Sequence, residues 1–122
     1  MDCIFCKIIA GEIPSERIYE DDKMIIIKDI DPKAARHYLC IPKSHFQLLS
    51  EMNAEQSDQL NHCFQTIPLL AEKLGLTNGY RLIVNQGDDA GQSVPHLHIH
   101  LLGGQKMEWN PAYIFSTRRL IA

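Results

Sequence analysis

His96-Leu97-His98-Ile99-His100 alternates imidazole with aliphatic side chains over five consecutive residues. Because successive side chains of an extended strand point to opposite faces, this pattern predicts one face of imidazoles and one apolar face. A solvated strand face would usually carry Lys, Glu or Thr instead of three histidines. Histidine titrates near neutrality and commonly binds metals. We therefore expect the imidazole face to carry the chemistry and the aliphatic face to join the core.

Four short β-rich runs precede this strand in the sequence. Two runs within residues 17–30 suit a hairpin, a third at residues 37–41 stops at Pro42, and a fourth covers residues 80–84. The loop at residues 86–93, which contains glycine, joins the fourth run to the histidine strand. The order of these runs predicts an α+β fold with a largely antiparallel sheet.

Two helical segments complete the pattern. Residues 3–10 predict a short helix or turn, and a long helix is expected from the capping pair Asn53 and Gln56 up to Gly75. Pro68 falls inside the long segment. Because proline lacks an amide donor and its ring clashes with the preceding turn, we expect a kink or a local break there.

Composition narrows the class of protein. With 122 residues, 45% of them hydrophobic, the chain fits one domain with a modest core. The net charge of -3 and the scattered basic residues argue against nucleic-acid binding. No apolar run approaches the length of a membrane span, and Met1-Asp2-Cys3 does not begin like a leader peptide. We therefore expect no membrane partner and a cytoplasmic location, where four cysteines are thiols or metal ligands rather than disulfides.

The histidine strand allows two kinds of chemistry. A His-x-His pair can bind a catalytic zinc ion that keeps an open water position. Alternatively, the central imidazole attacks an electrophile while its neighbours and the adjacent loop balance the developing charge. Gly91, Gln92 and Ser93 would supply backbone and side-chain donors to an anionic oxygen, although the same residues also make plain hairpin loops. Asn85 could add a further donor.

Four cysteines fall into two kinds of environment. Cys3 and Cys6 are three residues apart, a spacing compatible with zinc, with redox chemistry or with simple packing. Zinc would need two further ligands, for which His45 and His96 are candidates. Cys40 and Cys63 sit on apolar faces and are most simply core residues.

An ordered set of motifs along the chain resembles the histidine triad (HIT) family, nearest to its Hint-like branch of purine nucleoside phosphoramidases. The matching pieces, in order, are Ile4-Phe5-Cys6-Lys7-Ile8-Ile9, Asp29-Ile30, His37 with Ile41-Pro42-Lys43, Gly79-Tyr80-Arg81, Gly91-Gln92-Ser93-Val94, the histidine strand itself and Leu102-Gly103-Gly104. The resemblance implies one HIT domain over residues 1–122, with a core at about 3–109 and a tail at 110–122. It also implies a five-stranded, mainly antiparallel sheet with one long and one short helix, and a homodimer that joins two such sheets.

By this resemblance the protein would be a nucleotide hydrolase that cleaves purine nucleoside phosphoramidates and releases AMP. His98 would be the nucleophile and would form a covalent nucleotidyl-histidine intermediate. His100, Gln92 and Ser93 would balance charge on the phosphate oxygens, and His37 matches a further active-site histidine. Hydrolysis of dinucleoside polyphosphates, or a zinc-stabilised nucleotide-binding and regulatory role with little catalysis, are the alternatives.

The resemblance also implies a nucleotide pocket and a structural zinc ion. Asp29 would face the ribose hydroxyls, and Asn85 and Gly91 would lie beside the phosphate. Apolar residues would surround the base, namely Ile4, Phe5, Ile8, Ile27, Ile30 and Leu39. Some family members bind zinc at positions that correspond to Cys3, Cys6, His45 and His96, and in that case the metal would be structural and no catalytic metal would be required.

Overall fold

In the computed structural model, which describes residues 3–109, the chain forms one five-stranded sheet with helices on both of its faces. The helices are α1 (Ile4–Ile9) and α2 (Ala54–Thr66), and the strands are β1 (Arg17–Glu20), β2 (Met24–Lys28), β3 (Arg36–Pro42), β4 (Tyr80–Ile83) and β5 (Ile99–Gly103). Short 3-10 turns occur at Leu49–Glu51, Ile67–Leu70 and Asp88–Ala90. The strands are ordered β1-β2-β3-β5-β4, and every neighbouring pair is antiparallel. The predicted α+β class and five-stranded antiparallel sheet are confirmed.

Both faces of the sheet are buried. Met24 and Ile26 of β2 pack on the α2 side, and Ile25 and Ile27 pack on the α1 side, so four consecutive apolar residues of this strand are enclosed. Removing a large aliphatic side chain from water contributes about 1.5–3 kcal/mol. Burial on both sides explains why this strand shows no alternation of polar and apolar residues.

Helix α2 begins as predicted but ends earlier than expected. The side chain of Asn53 accepts from the Gln56 amide at 2.9 Å, and the side chain of Gln56 accepts from the Asn53 amide at 3.0 Å. The α-helix stops at Thr66, and Pro68 lies in the 3-10 turn that follows. The prediction of a helix reaching Gly75 is therefore wrong. The interruption expected at Pro68 is confirmed as a break, because the missing amide and the ring clash end the α-helix there.

The histidine segment enters the sheet later than the alternation predicts. Regular pairing with β3 begins at Ile99, because the preceding amides bond elsewhere: His96 donates to the Val94 carbonyl at 2.8 Å, and Leu97 donates to the Phe46 carbonyl at 2.6 Å. The alternation of faces nevertheless holds. Leu97 and Ile99 lie in the core on the α2 side, whereas the imidazole of His98 packs against Phe5 of α1 on the opposite side.

Cys40 and Cys63 are fully enclosed in the core on the α2 side, as their apolar neighbours predicted. Within residues 3–109, no helix has the length and apolar character needed to cross a membrane.

Asp21 ties the β1–β2 hairpin to helix α2. Its carboxylate accepts from the Lys23 amide at 2.8 Å, from the Met24 amide at 3.0 Å, from the Tyr19 hydroxyl at 2.9 Å and from the His62 Nε2 at 2.6 Å. Burial alone would raise the pKa of this carboxyl, but the hydrogen bonds outweigh burial and lower the pKa from 3.8 to about 2.

We expect Asp21→Asn to lower the free energy of unfolding by about 1–2 kcal/mol at pH 7, because the amide cannot carry the charge that these donors favour. The folded pKa lies below the unfolded pKa, so the contribution is complete above pH 4 and is lost as the pH falls towards 2. Urea unfolding across this range measures the difference between the two proteins.

Asp58→Asn is the matched control, since the Asp58 carboxylate forms an exposed ion pair with Lys23 and contributes little. An Asp21→Asn deficit that persisted unchanged below pH 3 would contradict this assignment.

Candidate active site and metal centre

Four side chains from three separate parts of the chain meet beside α1. Cys3 caps this helix, Cys6 lies in its first turn, His45 follows β3, and His96 precedes β5. Their ligand atoms all lie within 4.8 Å of one another. The structure thus brings together the four residues that the resemblance named as metal ligands.

The spacing of this cluster fits a tetrahedral zinc ion. Sulfur and nitrogen ligands at usual zinc distances lie about 3.6 Å from each other, and two nitrogen ligands lie about 3.3 Å apart. His96 Nδ1 lies 3.5 Å from Cys3 Sγ, 3.6 Å from Cys6 Sγ and 3.3 Å from His45 Nδ1. The His45 Nδ1 to Cys6 Sγ distance is 3.2 Å. Two thiols and two imidazoles are also the donor set that structural zinc prefers.

The tautomer of His96 also suits zinc binding. Its Nε2 donates to the Pro42 carbonyl at 2.8 Å, so the lone pair of the neutral ring is on Nδ1, which faces the cysteines. Burial lowers the pKa of His96 from 6.5 to about 4, which keeps the ring neutral. Burial and the neighbouring Cys3 thiol raise the pKa of Cys6 from 9.0 to about 11, and a bound cation would reverse that effect.

His98 has the opposite tautomer. Its Nδ1 lies 2.7 Å from the His96 carbonyl oxygen, which can only accept, so Nδ1 carries the proton and Nε2 carries the lone pair. The ring packs edge-on against Phe5, with ring centroids 5.0 Å apart. Only 2% of the residue is exposed, so the imidazole is buried within the described part of the chain.

A second buried cluster lies next to His98. His37 Nε2 is 2.9 Å from His100 Nδ1 and 3.4 Å from Asp29 Oδ2. The His98 and His100 ring centroids are 5.1 Å apart. Burial lowers the pKa of His37 although the Asp29 carboxylate acts in the other direction. The predicted nucleophile therefore adjoins His100, which contacts His37, and Asp29 extends the group beyond His37.

The loop before the triad is closed by its own side chains. Gln92 Oε1 accepts from the Gly87 amide at 2.9 Å, while the Gln92 side-chain amide donates to the Gln47 carbonyl at 3.4 Å and to the Val94 carbonyl at 3.3 Å. The Gly91 and Gln92 backbone amides donate to the Asp88 and Gly87 carbonyls. Gln92 thus clamps this loop, and its direct contact with a phosphate remains a prediction. Ser93, in contrast, is exposed at the surface of the loop.

Glycine is required at the turn that this clamp holds. Gly91 ends the 3-10 turn with φ of 81° and ψ of 23°, a left-handed conformation that other residues rarely adopt.

The residues predicted to surround a base divide into two groups. Phe5, Ile8, Ile27 and Leu39 are buried in one apolar cluster beneath α1. Ile4 and Ile30 are 49% and 92% exposed. Asn85 is 6% exposed, and Asp29 and His37 help to line a cavity of about 150 Å³.

Three contributors to the site carry no signal in the sequence. The Pro42 carbonyl oxygen accepts from His96, the Phe46 carbonyl oxygen accepts from Leu97, and the Lys33 amide donates to His37 Nδ1 at 3.0 Å. All three act through backbone atoms, which every residue type possesses, so residue identity could not reveal them.

Comparisons with known proteins agree on one family. The family model described as "Scavenger mRNA decapping enzyme C-term binding" matches residues 2–112. A 14 kDa zinc-binding protein of Brassica juncea is 44% identical over 112 residues, which cover 90% of this chain and 99% of the relative. A HIT family hydrolase from Clostridium thermocellum has a similar structure, with a TM-score of 0.83 and 47% identity over 89% of this chain and 96% of that one. A Zn-bound histidine triad family protein from Mycobacterium smegmatis has a TM-score of 0.75 and 33% identity, covering 100% of this chain and 85% of that one.

We expect the purified protein to bind about one zinc ion per chain and Cys6→Ala to lose it, because three remaining ligands hold zinc more weakly. Cys63→Ala removes a thiol from the core and should keep the metal. Elemental analysis gives the metal content, and a chelator should lower the Tm of Cys63→Ala but leave that of Cys6→Ala unchanged. Equal metal content in the two variants would exclude this ligand set.

Proposed function

This chain belongs to the histidine triad family, and from that premise we propose that it is a nucleotide-binding hydrolase that cleaves purine nucleoside phosphoramidates. The observation that carries the proposal is the tautomer of His98. A hydrogen bond to the His96 carbonyl holds the proton on Nδ1 and leaves the lone pair on Nε2, which is the form of imidazole that attacks phosphorus.

The proposed reaction has two displacements at the α-phosphorus. His98 Nε2 forms a bond to phosphorus as the bond from phosphorus to the amine breaks, and the amine leaves with that electron pair and takes up a proton. Water then attacks the nucleotidyl-histidine. The phosphorus–Nε2 bond breaks, its electron pair returns to the ring, and AMP is released. We assign delivery of the proton to the amine to the Ser93 hydroxyl, which is exposed at the loop surface, and the proton that the attacking water gives up in the second displacement restores this hydroxyl.

The buried surroundings favour this chemistry. His98 and His100 are 2% and 0% exposed, and a site with little water strengthens the interaction between a donor and the charge that develops on phosphate oxygens. His100 would supply such a donor next to the nucleophile. His37 lies behind His100 and would hold it in place.

Recognition of the ribose and the base would use residues at the end of β2 and on the α1 side of the sheet. Asp29 is proposed for the ribose hydroxyls. Ile30 follows it and is 92% exposed, so its side chain can meet a purine ring. The buried cluster of Phe5, Ile8, Ile27 and Leu39 would support that surface from below.

A structural role for zinc follows from the number of ligands. Cys3, Cys6, His45 and His96 provide four protein ligands, which is a closed tetrahedral set, whereas catalytic zinc keeps a position for water. Bound zinc would cross-link α1, the loop after β3 and the segment that leads into β5. The chain's own contribution is to place His96 so that its carbonyl oxygen can hold His98.

The chain is proposed to act as a homodimer of one HIT domain per subunit. Strand β4 lies at one edge of the sheet, and Phe64 and Leu69 are exposed to 41% and 82% on the α2 side. Unpaired edges and exposed apolar side chains favour association. Sedimentation as a monomer at micromolar concentration would overturn this assignment.

With adenosine 5′-phosphoramidate as substrate, we expect His98→Ala to reduce kcat for AMP release about 10³-fold or more, because no other side chain replaces the nucleophile. Release of AMP is followed by chromatography. His62→Gln is the control, since His62 lies on α2 and bonds Asp21 rather than the triad. If His98→Ala turned the substrate over as fast as His62→Gln, the proposed function would fail.

A further inference from the structure

The neighbouring imidazoles of His98 and His100 must do opposite things in the proposed reaction, and the surrounding hydrogen bonds supply a reason. His98 needs a lone pair on the nitrogen that meets phosphorus. His100 needs a proton on the nitrogen that meets a phosphate oxygen. Each neutral ring carries one proton on one of two nitrogens, so the partner of the other nitrogen decides the outcome.

The first link is the backbone amide of Lys33. It donates to His37 Nδ1 at 3.0 Å, and an amide N–H can only donate. Neutral His37 therefore accepts at Nδ1 and carries its proton on Nε2. Burial favours the neutral form of this ring by lowering its pKa.

The second link runs from His37 to His100. His37 Nε2 lies 2.9 Å from His100 Nδ1, so the His37 proton is donated to His100 and the His100 proton is on Nε2. Asp29 Oδ2 lies 3.4 Å from the same His37 nitrogen, and among the described residues it accepts no hydrogen bond. Its negative charge favours a proton at His37 Nε2 over a proton at Nδ1.

We propose that the backbone amide of Lys33, acting through His37, fixes His100 as the Nε2–H tautomer and so makes it a hydrogen-bond donor beside the lone pair of His98. Lys33 is a positioning residue in this scheme, because it touches neither substrate nor reacting atoms. The catalytic meaning of the scheme rests on the proposed function, whereas the tautomers themselves do not.

The turn that carries this amide is braced by its own side chains. Asp29 Oδ1 accepts from the Asp31 amide at 2.8 Å. The Lys33 side chain is only 4% exposed, and its ammonium donates to the Asp31 carbonyl at 2.8 Å and to the Asp31 carboxylate at 2.7 Å. Two side chains thus hold a single backbone N–H against the ring of His37.

The proton positions also distinguish the cluster of Asp29, His37 and His100 from the candidate zinc site. Asp29, His37 and His100 also have ligand atoms within 4.8 Å of one another. The facing nitrogens of His37 and His100 already share a proton, however, whereas the lone pair of His96 faces its cysteines. The scheme therefore predicts that this second cluster binds no zinc when the protein carries one ion per chain.

The direct test is long-range ¹H–¹⁵N correlation spectroscopy of the zinc-loaded protein at pH 7, which reports which ring nitrogen of each histidine is protonated. We expect His98 protonated on Nδ1, and His37 and His100 protonated on Nε2. A His100 ring protonated on Nδ1, or on both nitrogens, would overturn the proposal without any reference to activity.

Three variants test the links between the residues. Lys33→Pro removes the amide donor, and His37→Phe removes both ring nitrogens; each should convert His100 to a mixture of tautomers and reduce kcat about fivefold to tenfold with KM changed less than twofold. Lys33→Ala loses the ammonium but keeps the amide, and the hydrogen bond from the Asp31 amide to Asp29 still holds the turn, so His100 should stay protonated on Nε2 in this variant. If His100 stayed protonated on Nε2 alone in His37→Phe, His37 would not fix its tautomer. If His100 did so in a folded Lys33→Pro, the Lys33 amide would not fix it.

The two proposals fail in different ways. If the tautomers are as stated but no phosphoramidate is cleaved, the proposed function is wrong and the proton arrangement stands. If AMP is released but His100 is protonated on Nδ1, the arrangement is wrong and the function stands.

Discussion

The hydrogen bond from His98 Nδ1 to the His96 carbonyl oxygen, 2.7 Å long, connects the two halves of the site. His96 faces the cysteines through Nδ1 and holds His98 through its backbone. The position of the reactive imidazole therefore depends on the same residue that organises the candidate metal centre. Any change that shifted the His96 backbone would move the carbonyl oxygen and break the hydrogen bond that fixes the His98 tautomer.

Spacing alone does not distinguish the two clusters of potential ligands in this molecule; proton positions do. Both have ligand atoms within 4.8 Å, although only two of the four residues are buried in the first cluster and all three are buried in the second. In one, a backbone carbonyl takes the outer proton of His96 and turns a lone pair towards the thiols. In the other, the Lys33 backbone amide donates to His37 Nδ1, so the proton of His37 is on Nε2 and faces His100. Carbonyl and amide partners thus assign opposite roles to the same residue type.

The sequence predicts those features that depend on side-chain identity. Alternation placed Leu97 and the imidazoles on opposite faces, and Asn53 with Gln56 marked the start of α2. It fails where backbone pairing decides. Pro68 marked an interruption, but the pattern could not show that the α-helix ends at Thr66.

The start of β5 and the orientation of the Gln92 side chain also depend on backbone partners. β5 begins only at Ile99 because earlier amides bond to loop carbonyls. Gln92 faces its own loop because the Gly87 amide and two carbonyls lie within reach. These partners are backbone groups that only the folded chain brings close together, so residue types cannot predict them.

Mass spectrometry of the protein during turnover of adenosine 5′-phosphoramidate, quenched at alkaline pH so that a phosphorus–imidazole bond survives, tests whether His98 is the nucleophile. We expect one adenylyl group on the peptide that contains His98, assigned to that residue by fragmentation. An adenylyl group on a different side chain, or turnover with no covalent adduct under any quench, would contradict it.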